Sequence, residues 1–189
     1  MSINSRLVCI LIGLSCCLTG FTQTPATPST VSHSLQIQIP QVSLVNVIGN
    51  SNVKLALQAP IEAGTSITTI DVDSSFLLNY SFIKGGVTQS KNHIYARIAN
   101  GYVPMGLSLS VYAKPYQGIG LGGFGISVGA VTLGQNEQRV IENISSCFTG
   151  TGIGNGHQLV YQLKLDSEKY DLLDFEQSQQ VSVVYTISD

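Results

Sequence analysis

The amino-acid sequence predicts an all-β protein, an antiparallel immunoglobulin-like β-sandwich of about 8–11 strands. Apolar and polar residues alternate through most of the chain after residue 34, which places one set of side chains on a buried face and the other in water. Gly, Pro, Asn and Ser residues separate these runs, as turns do in sandwiches. With 11% charged and 43% hydrophobic residues, the chain fits neither a helical bundle nor a disordered protein.

The individual strands are predicted from the alternating runs in chain order. Leu107, Leu109 and Val111, for example, share one face of a strand because a serine separates each from the next. Residues 167–175 carry the one helix signal, and we expect a turn or a short helical crossing there. The predicted strands are 35–39, 42–48, 53–59, 67–72, 76–83, 93–99, 107–113, 129–133, 139–144, 159–165 and 181–187.

Residues 1–22 have the arrangement of a secretory signal peptide. Arg6 and the amino terminus supply a positive region, and residues 7–18 are uncharged and apolar. This stretch is shorter than the about 20 residues of a membrane-spanning helix. We expect cleavage between residues 20 and 24, which leaves a flexible linker at 23–33 and a single domain at 34–189. The predicted location is the periplasm, the cell surface or the extracellular medium.

The cysteines support the same division of the chain. Three of the four lie in the leader, so the processed chain would keep Cys147 and could form no internal disulfide. We interpret Cys147 as a small buried hydrophobic residue. A membrane anchor is one alternative for the leader, and a lipidated amino terminus at Cys16 or Cys17 is another. Gly13 stands where a lipoprotein signal has a branched apolar residue, which argues against lipidation.

Two segments of the chain are rich in glycine, and the first contains a motif that occurs in nucleotide-binding loops. Residues 118–125 (GIGLGGFG) contain G-x-G-x-x-G, but a dinucleotide site needs a helix after this motif and the residues that follow are strand-like. Residues 150–156 (GTGIGNG) lead into His157 and a strong strand. We therefore predict no cofactor. The first segment is interpreted as a flexible hairpin loop, and the second as a tight connection with positive-φ glycines.

The sequence favours neither a metal site nor catalysis. The three histidines are far apart and have no Cys, Asp or His at metal-ligand spacing. An acidic cluster near the carboxyl terminus could provide calcium ligands, but it lacks the central glycine of an EF-hand loop. A paired-carboxylate glycosidase site is disfavoured because no Trp is present as a sugar platform. The calcium candidates are Asp166, Glu168, Asp171, Asp174 and Glu176.

The carboxy-terminal half also resembles known proteins. SCFTGTGIGNGHQLVYQLKLD and YDLLDFEQSQQVSVVYTISD resemble secreted β-sandwich proteins of Bacteroides-like bacteria, a group without an established activity. The resemblance extends over Leu35 to Asp189. The closing VSVVYTIS is similar to the last strand of fimbrial, spore-coat-U-type and WxL-type surface domains, which implies a β-sandwich at the cell surface. Pilins commonly carry an internal disulfide, which Cys147 alone cannot form.

These observations predict an exported, non-catalytic, fimbria-like structural or adhesive subunit that acts by strand pairing and loop contacts. The alternative is a carbohydrate- or protein-binding module of the outer surface. Expected partners are other surface proteins, a second copy or a glycan, whereas the scattered basic residues and net charge of −2 argue against nucleic acid. The predicted assembly strands carry two apolar faces, Leu35, Ile37 and Ile39 in the first and Val181, Val183, Tyr185 and Ile187 in the last.

The first of these strands has two possible partners. It can pair inside its own domain as the first strand of the sandwich, or it can add to the edge of a neighbouring molecule. Pro40 ends its ladder hydrogen bonding because proline has no N–H. The apolar pattern resumes at residues 42–48 without a long spacer, which favours pairing within the domain.

Overall fold

The protein is a β-sandwich of two antiparallel sheets packed against each other, as predicted. The computed structural model describes residues 30–50, 53–86, 91–177 and 179–189; the predicted signal peptide lies outside them. Gln38–Asp189 forms one compact unit, and of the preceding unit, Met1–Ile37, residues 30–37 are described. The strands in the described residues are β1 (Ser43–Ile48), β2 (Ile70–Phe82), β3 (Asn92–Asn100), β4 (Leu107–Ala113), β5 (Leu121–Gly122), β6 (Ile126–Ser127), β7 (Val131–Thr132), β8 (Gln138–Ile144), β9 (Cys147–Phe148), β10 (His157–Leu165) and β11 (Ser182–Ser188).

The two sheets differ in size. In the large sheet, β1 pairs with one edge of β2, and β9 and β10 pair with the other edge. β5 lies beyond β9, and β4 and then β7 lie beyond β10. The small sheet has the order β11-β3-β8-β6. All of the strand pairs are antiparallel. A 3₁₀ helix, Ser167–Leu172, follows β10, where the sequence predicts a turn or a short helical crossing. The immunoglobulin-like order of strands remains a prediction.

The strands β9 and β10 form one line along a single edge of β2. Phe148 lies opposite Ser81 in β2, and His157 lies opposite Leu78. Between them, the Thr149 N–H still donates to the Tyr80 carbonyl at 3.0 Å. Residues 150–156 therefore loop out of an otherwise continuous strand, and we call them the excursion loop.

Two chain segments pass from one sheet to the other at the same corner. The first connects β5 with β6, and the second connects β8 with β9. They remain hydrogen-bonded through the turn, because Gly123 N donates to Ser146 O at 3.2 Å and Ser145 N donates to Gly123 O at 2.9 Å. A side chain at Gly125 would overlap Ile141, so glycine allows the close approach that the corner requires.

Burial is complete in the centre of the sandwich and partial at one side. Leu78, Ile94 and Leu159 on the central strands are fully buried. The inward-facing residues of β1 and β11, the outermost strands on one side of each sheet, are only half-buried although they pack on the same core. They are Val45 and Val47 of β1, with Val183, Tyr185 and Ile187 of β11 and Val181 just before it.

Two of the predicted strands do not form. Residues 30–42 contain no strand, so residues 35–39 are not the first strand of the sandwich, and their alternation has no partner strand in the described part of the chain. Residues 53–59 run beside the start of β2 but are not a strand. A backbone hydrogen bond joins them to the residues before β2, from Thr68 N to Gln58 O at 3.0 Å. Side-chain oxygens accept two others, from Ala56 N to Asp71 Oδ2 at 2.8 Å and from Gln58 N to Thr68 Oγ1 at 2.6 Å.

Candidate functional site

One buried side chain joins the two ends of the excursion loop, Gly150 and residues 155–156, which we call its neck. Asn79 of β2 is 6% exposed, and its Nδ2 donates to Gly150 O at 2.9 Å and to Asn155 O at 3.0 Å. These two carbonyls belong to opposite ends of the loop. Gly156 completes the neck with a φ of +102°, and a side chain there would overlap the Leu78 carbonyl. The predicted tight, positive-φ connection is therefore confirmed.

Beneath the neck, a tyrosine and a histidine form a buried hydrogen-bonded pair. The His157 ring lies 2.8 Å from Lys114 O through Nδ1 and 3.0 Å from the Tyr80 hydroxyl through Nε2. A carbonyl only accepts, so Nδ1 carries the proton and Nε2 accepts from Tyr80. Gly125 N donates to the same hydroxyl at 3.2 Å.

Burial keeps both side chains of this pair uncharged. Burial lowers the pKa of His157 and raises the pKa of Tyr80, so both are neutral at physiological pH. His157 has no exposed surface, and a substrate therefore has no access to its ring. The pair supports the loops above it and offers no general base to solvent.

The two glycine-rich segments are fastened to each other. The Tyr116 hydroxyl donates to Thr149 O at 3.0 Å and accepts from Gly120 N at 2.6 Å. Ile119 N donates to Asn155 Oδ1 at 3.1 Å, and the Tyr116 ring stacks on Phe124 with 3.7 Å between centroids. The prediction of a hairpin loop at residues 118–125 is wrong, because the segment contains β5 and leads from the large sheet into β6 of the small sheet. The residues after the segment begin with β6, in agreement with their strand-like sequence.

Large apolar side chains are exposed around these fastened loops. Ile119, Leu121 and Ile153 are 82%, 69% and 90% exposed, and half-exposed Phe148 lies directly opposite Leu121. An apolar cavity of about 410 Å³, lined in part by Leu121, Phe148 and Cys147, lies beside them. Residues 115–136 contain no Asp, Glu, Lys or Arg. This segment of the chain is therefore uncharged, and its exposed side chains are largely apolar, as those of contact surfaces often are.

Cys147 is buried, in agreement with its interpretation as a small hydrophobic residue. Its side chain belongs to the core, and burial raises the pKa of the thiol to about 11. A thiol with this pKa is protonated at neutral pH, whereas nucleophilic cysteines react as thiolates. The local environment therefore disfavours nucleophilic chemistry at this position.

The acidic residues after β10 do not converge on a common point. Asp166 caps the 3₁₀ helix by accepting from Glu168 N, and its other oxygen binds Lys169 Nζ at 2.8 Å. Asp174 accepts from Glu176 N. Nowhere among the described residues do three or more His, Cys, Asp or Glu side chains form a group that could hold a metal ion.

The predicted assembly strands occupy contrasting positions. Leu35, Ile37 and Ile39 are 79%, 87% and 72% exposed, and they have no strand partner in the described chain. The last strand forms as β11, with Val183 and Tyr185 facing the core. It pairs with β3 on one side, and no described strand pairs with its other side.

No helix in the described ranges is long and apolar enough to cross a membrane. No protein family model matches the chain, and no curated protein sequence matches it.

Proposed function

We propose that this protein is an exported, non-catalytic structural subunit in which residues 35–39 of one copy add as a strand to the free edge of β11 in another. One observation carries the proposal: Leu35, Ile37 and Ile39 alternate with polar residues and are largely exposed. Such a segment has the pattern of a half-buried strand without a sheet to cover it. Strand addition supplies the missing backbone hydrogen bonds and buries the three side chains.

The edge of β11 has the properties of an acceptor. At seven residues it is long enough for a five-residue donor, whereas β5, β6 and β7 have two residues each. Its segment Ser182–Ser188 contains no Lys, Pro or other residue of the kind that natural sheets use to block edge pairing. Its inward-facing side chains are half-buried, so an added strand would complete their burial.

The energetics favour a specific contact. Full burial of a Leu or Ile side chain contributes about 1.5–3 kcal/mol, and three such residues face the same way. Part of this free energy offsets the entropy that is lost when the segment becomes ordered and when two molecules associate. Pro40 limits the length of the added strand because it cannot donate to a ladder.

The test compares assembly of the full chain with two charge variants of the donor segment. Ile37→Asp places a carboxylate on the apolar face, and Gln38→Asp places the same charge on the opposite face. Sedimentation velocity across the micromolar range should show concentration-dependent oligomers for the wild type and Gln38→Asp, and monomers for Ile37→Asp. A wild type that stays monomeric throughout, or equal loss of assembly in both variants, would rule out strand addition by this face.

A further inference from the structure

A second concave site lies on the outer face of the large sheet, next to the excursion loop. Its volume is about 380 Å³, at the lower end of the range of about 300–1,000 Å³ for small-molecule pockets. Leu77 and Gln158 are cross-strand partners there, and they point outward because their neighbours Leu78 and Leu159 belong to the core. Ile153 and Gly154 of the excursion loop line the same space.

The groups that line this cavity suit a polyhydroxylated ligand. Ser74 and Ser75 supply hydroxyl groups, and Gln117 and Gln158 supply amides. The Ser75 hydroxyl donates to Asp73 Oδ1 at 2.8 Å and keeps its acceptor capacity. Gln158 Nε2 donates to Ser74 O at 2.8 Å, and its second N–H and its Oε1 remain for a ligand. Apolar surface comes from Leu77, Pro115 and Ile153, and can lie against the C–H face of a sugar ring. The mixture of several polar groups with small apolar patches is typical of sites that orient a small ligand.

One positive charge in this cavity has no counter-charge. Lys114 is half-buried, and no Asp or Glu lines the cavity. Among the described carboxylates, none lies within ion-pair distance of its ammonium group, since the ion pairs found are Arg139–Glu142 and Lys169–Asp166. A half-buried lysine lays its methylene stem along apolar surface and keeps its ammonium group at the solvent, where a ligand carboxylate can reach the charge.

The backbone of Lys114 is fixed on both sides. Its N–H donates to Gln158 O at 2.8 Å, and its carbonyl accepts from His157 Nδ1 at 2.8 Å. The buried His157–Tyr80 pair therefore helps to fix the position of the Lys114 Cα atom. The closed neck of the excursion loop fixes the side of the cavity that Ile153 and Gly154 form. Such a site needs little reorganisation to receive a ligand.

We infer that this cavity binds an acidic sugar, with the Lys114 ammonium facing the ligand carboxylate and the serine and glutamine side chains binding the ring hydroxyls. The site is separate from the strand addition proposed above. It would make each subunit a glycan receptor whether or not the subunits assemble.

The test is a calorimetric titration of the full chain with glucuronic acid and N-acetylneuraminic acid, with glucose as the neutral probe. Lys114→Gln keeps the backbone hydrogen bonds and removes the charge. The matched control is Lys164→Gln, which removes an equal charge at a distance from the cavity. Lys164 lies on the same face of β10 as Gln158, about 20 Å from it along the strand. Near-ultraviolet circular dichroism checks that each variant is folded.

The expected result is saturable binding of at least one acidic sugar, at least about tenfold tighter than that of glucose. Lys114→Gln should lose this preference, and Lys164→Gln should keep it. Failure of both acidic sugars to bind, equal affinity for glucose, or equal loss in both variants would overturn the inference. The Ile37→Asp chain, which lacks the donor face, should bind the acidic sugar normally, so failure of strand addition and failure of this site are distinguishable.

Discussion

The hydroxyl groups of Tyr161 and Tyr185 lie 2.8 Å apart and join the large sheet to the small sheet through a polar contact inside an apolar core. Tyr161 also meets Phe76 edge-on, with 5.3 Å between ring centroids. Burial raises the pKa of both tyrosines, so the contact is between two neutral phenols. Either hydroxyl can donate to the other, and each depends on the other for its partner.

Removal of one of these hydroxyls should cost more stability than removal of both. Tyr185→Phe leaves the Tyr161 hydroxyl without its partner, and we expect a loss of about 1–3 kcal/mol in the free energy of unfolding. Tyr161→Phe with Tyr185→Phe removes donor and acceptor together, so part of that loss should return. Urea unfolding of the four chains gives the coupling energy. Additive losses would show that the two hydroxyls act independently.

Asn79→Ala should open the neck of the excursion loop. The change removes two hydrogen bonds that hold Gly150 and Asn155 together, and we expect a loss of about 1–3 kcal/mol. Hydrogen exchange should accelerate at residues 150–156 more than in the strands. Asn46→Ala is the matched control, because Asn46 lies opposite Asn79 on β1 and is exposed. Unchanged exchange in the loop of Asn79→Ala would show that the neck is held by other contacts.

Stability should fall as the pH is lowered through the titration of His157. Burial holds its pKa below the ordinary 6.5, so the unfolded chain binds the proton at a higher pH than the folded chain. The stabilisation is therefore fully present above pH 6.5. It is lost as the pH falls toward the lower folded pKa, by up to about 1.4 kcal/mol per pH unit.

Urea midpoints measured across this interval check the pH dependence. His157→Gln should lower stability at neutral pH and flatten the dependence between neutral and mildly acid pH. The control His93→Gln removes a half-buried histidine whose pKa is also lowered, and it should keep most of the slope. A slope that survives in His157→Gln would assign the effect to other groups.

Chelation should leave the melting temperature unchanged. The carboxylate of Asp166 is engaged by Lys169, and the other acidic side chains near it do not form a common site among the described residues. Thermal unfolding in EDTA and in calcium compares the two conditions directly. A calcium-dependent rise of several degrees that disappears in Asp171→Asn would instead establish a calcium site after β10.

The mature chain should begin between residues 21 and 25. The basis is the short apolar stretch at residues 7–18 and the Thr/Pro-containing segment that follows it. Intact-mass spectrometry of protein from its native host would measure the amino terminus. A chain that retains Met1, or one acylated at Cys16 or Cys17, would contradict the prediction.

Local sequence patterns predicted the long strands because alternation depends on neighbouring residues alone. The predicted strand at residues 107–113 has the bounds of β4, and the predicted last strand differs from β11 by one residue at each end. The predictions at 67–72 and 76–83 proved to be parts of one strand, β2. Between them Ser75 binds Asp73 Oδ1, and the pairing with β10 shifts register. This irregularity interrupts the alternation without ending the strand.

The features around the excursion loop could not be predicted in this way. Asn79 and Gly150 are 71 positions apart, and no local pattern connects them. The two-residue strands β5, β6 and β9 exist because of their neighbours in the sheets, and two residues are too few to show a period. No local pattern indicates Lys114 either, because its position beside the cavity depends on residues far from it in the sequence.

The closed neck also affects how far the excursion loop can change in length and sequence. Its two ends are held together by Asn79 whatever lies between them, so added residues would not disturb the register of β2 with β9 and β10. Each doubling of the length of a flexible loop costs only about 0.6 kcal/mol. The loop is therefore a position where foreign peptide sequences can be inserted for display on the sandwich, and where related proteins can diverge in length while their sheets stay superimposable.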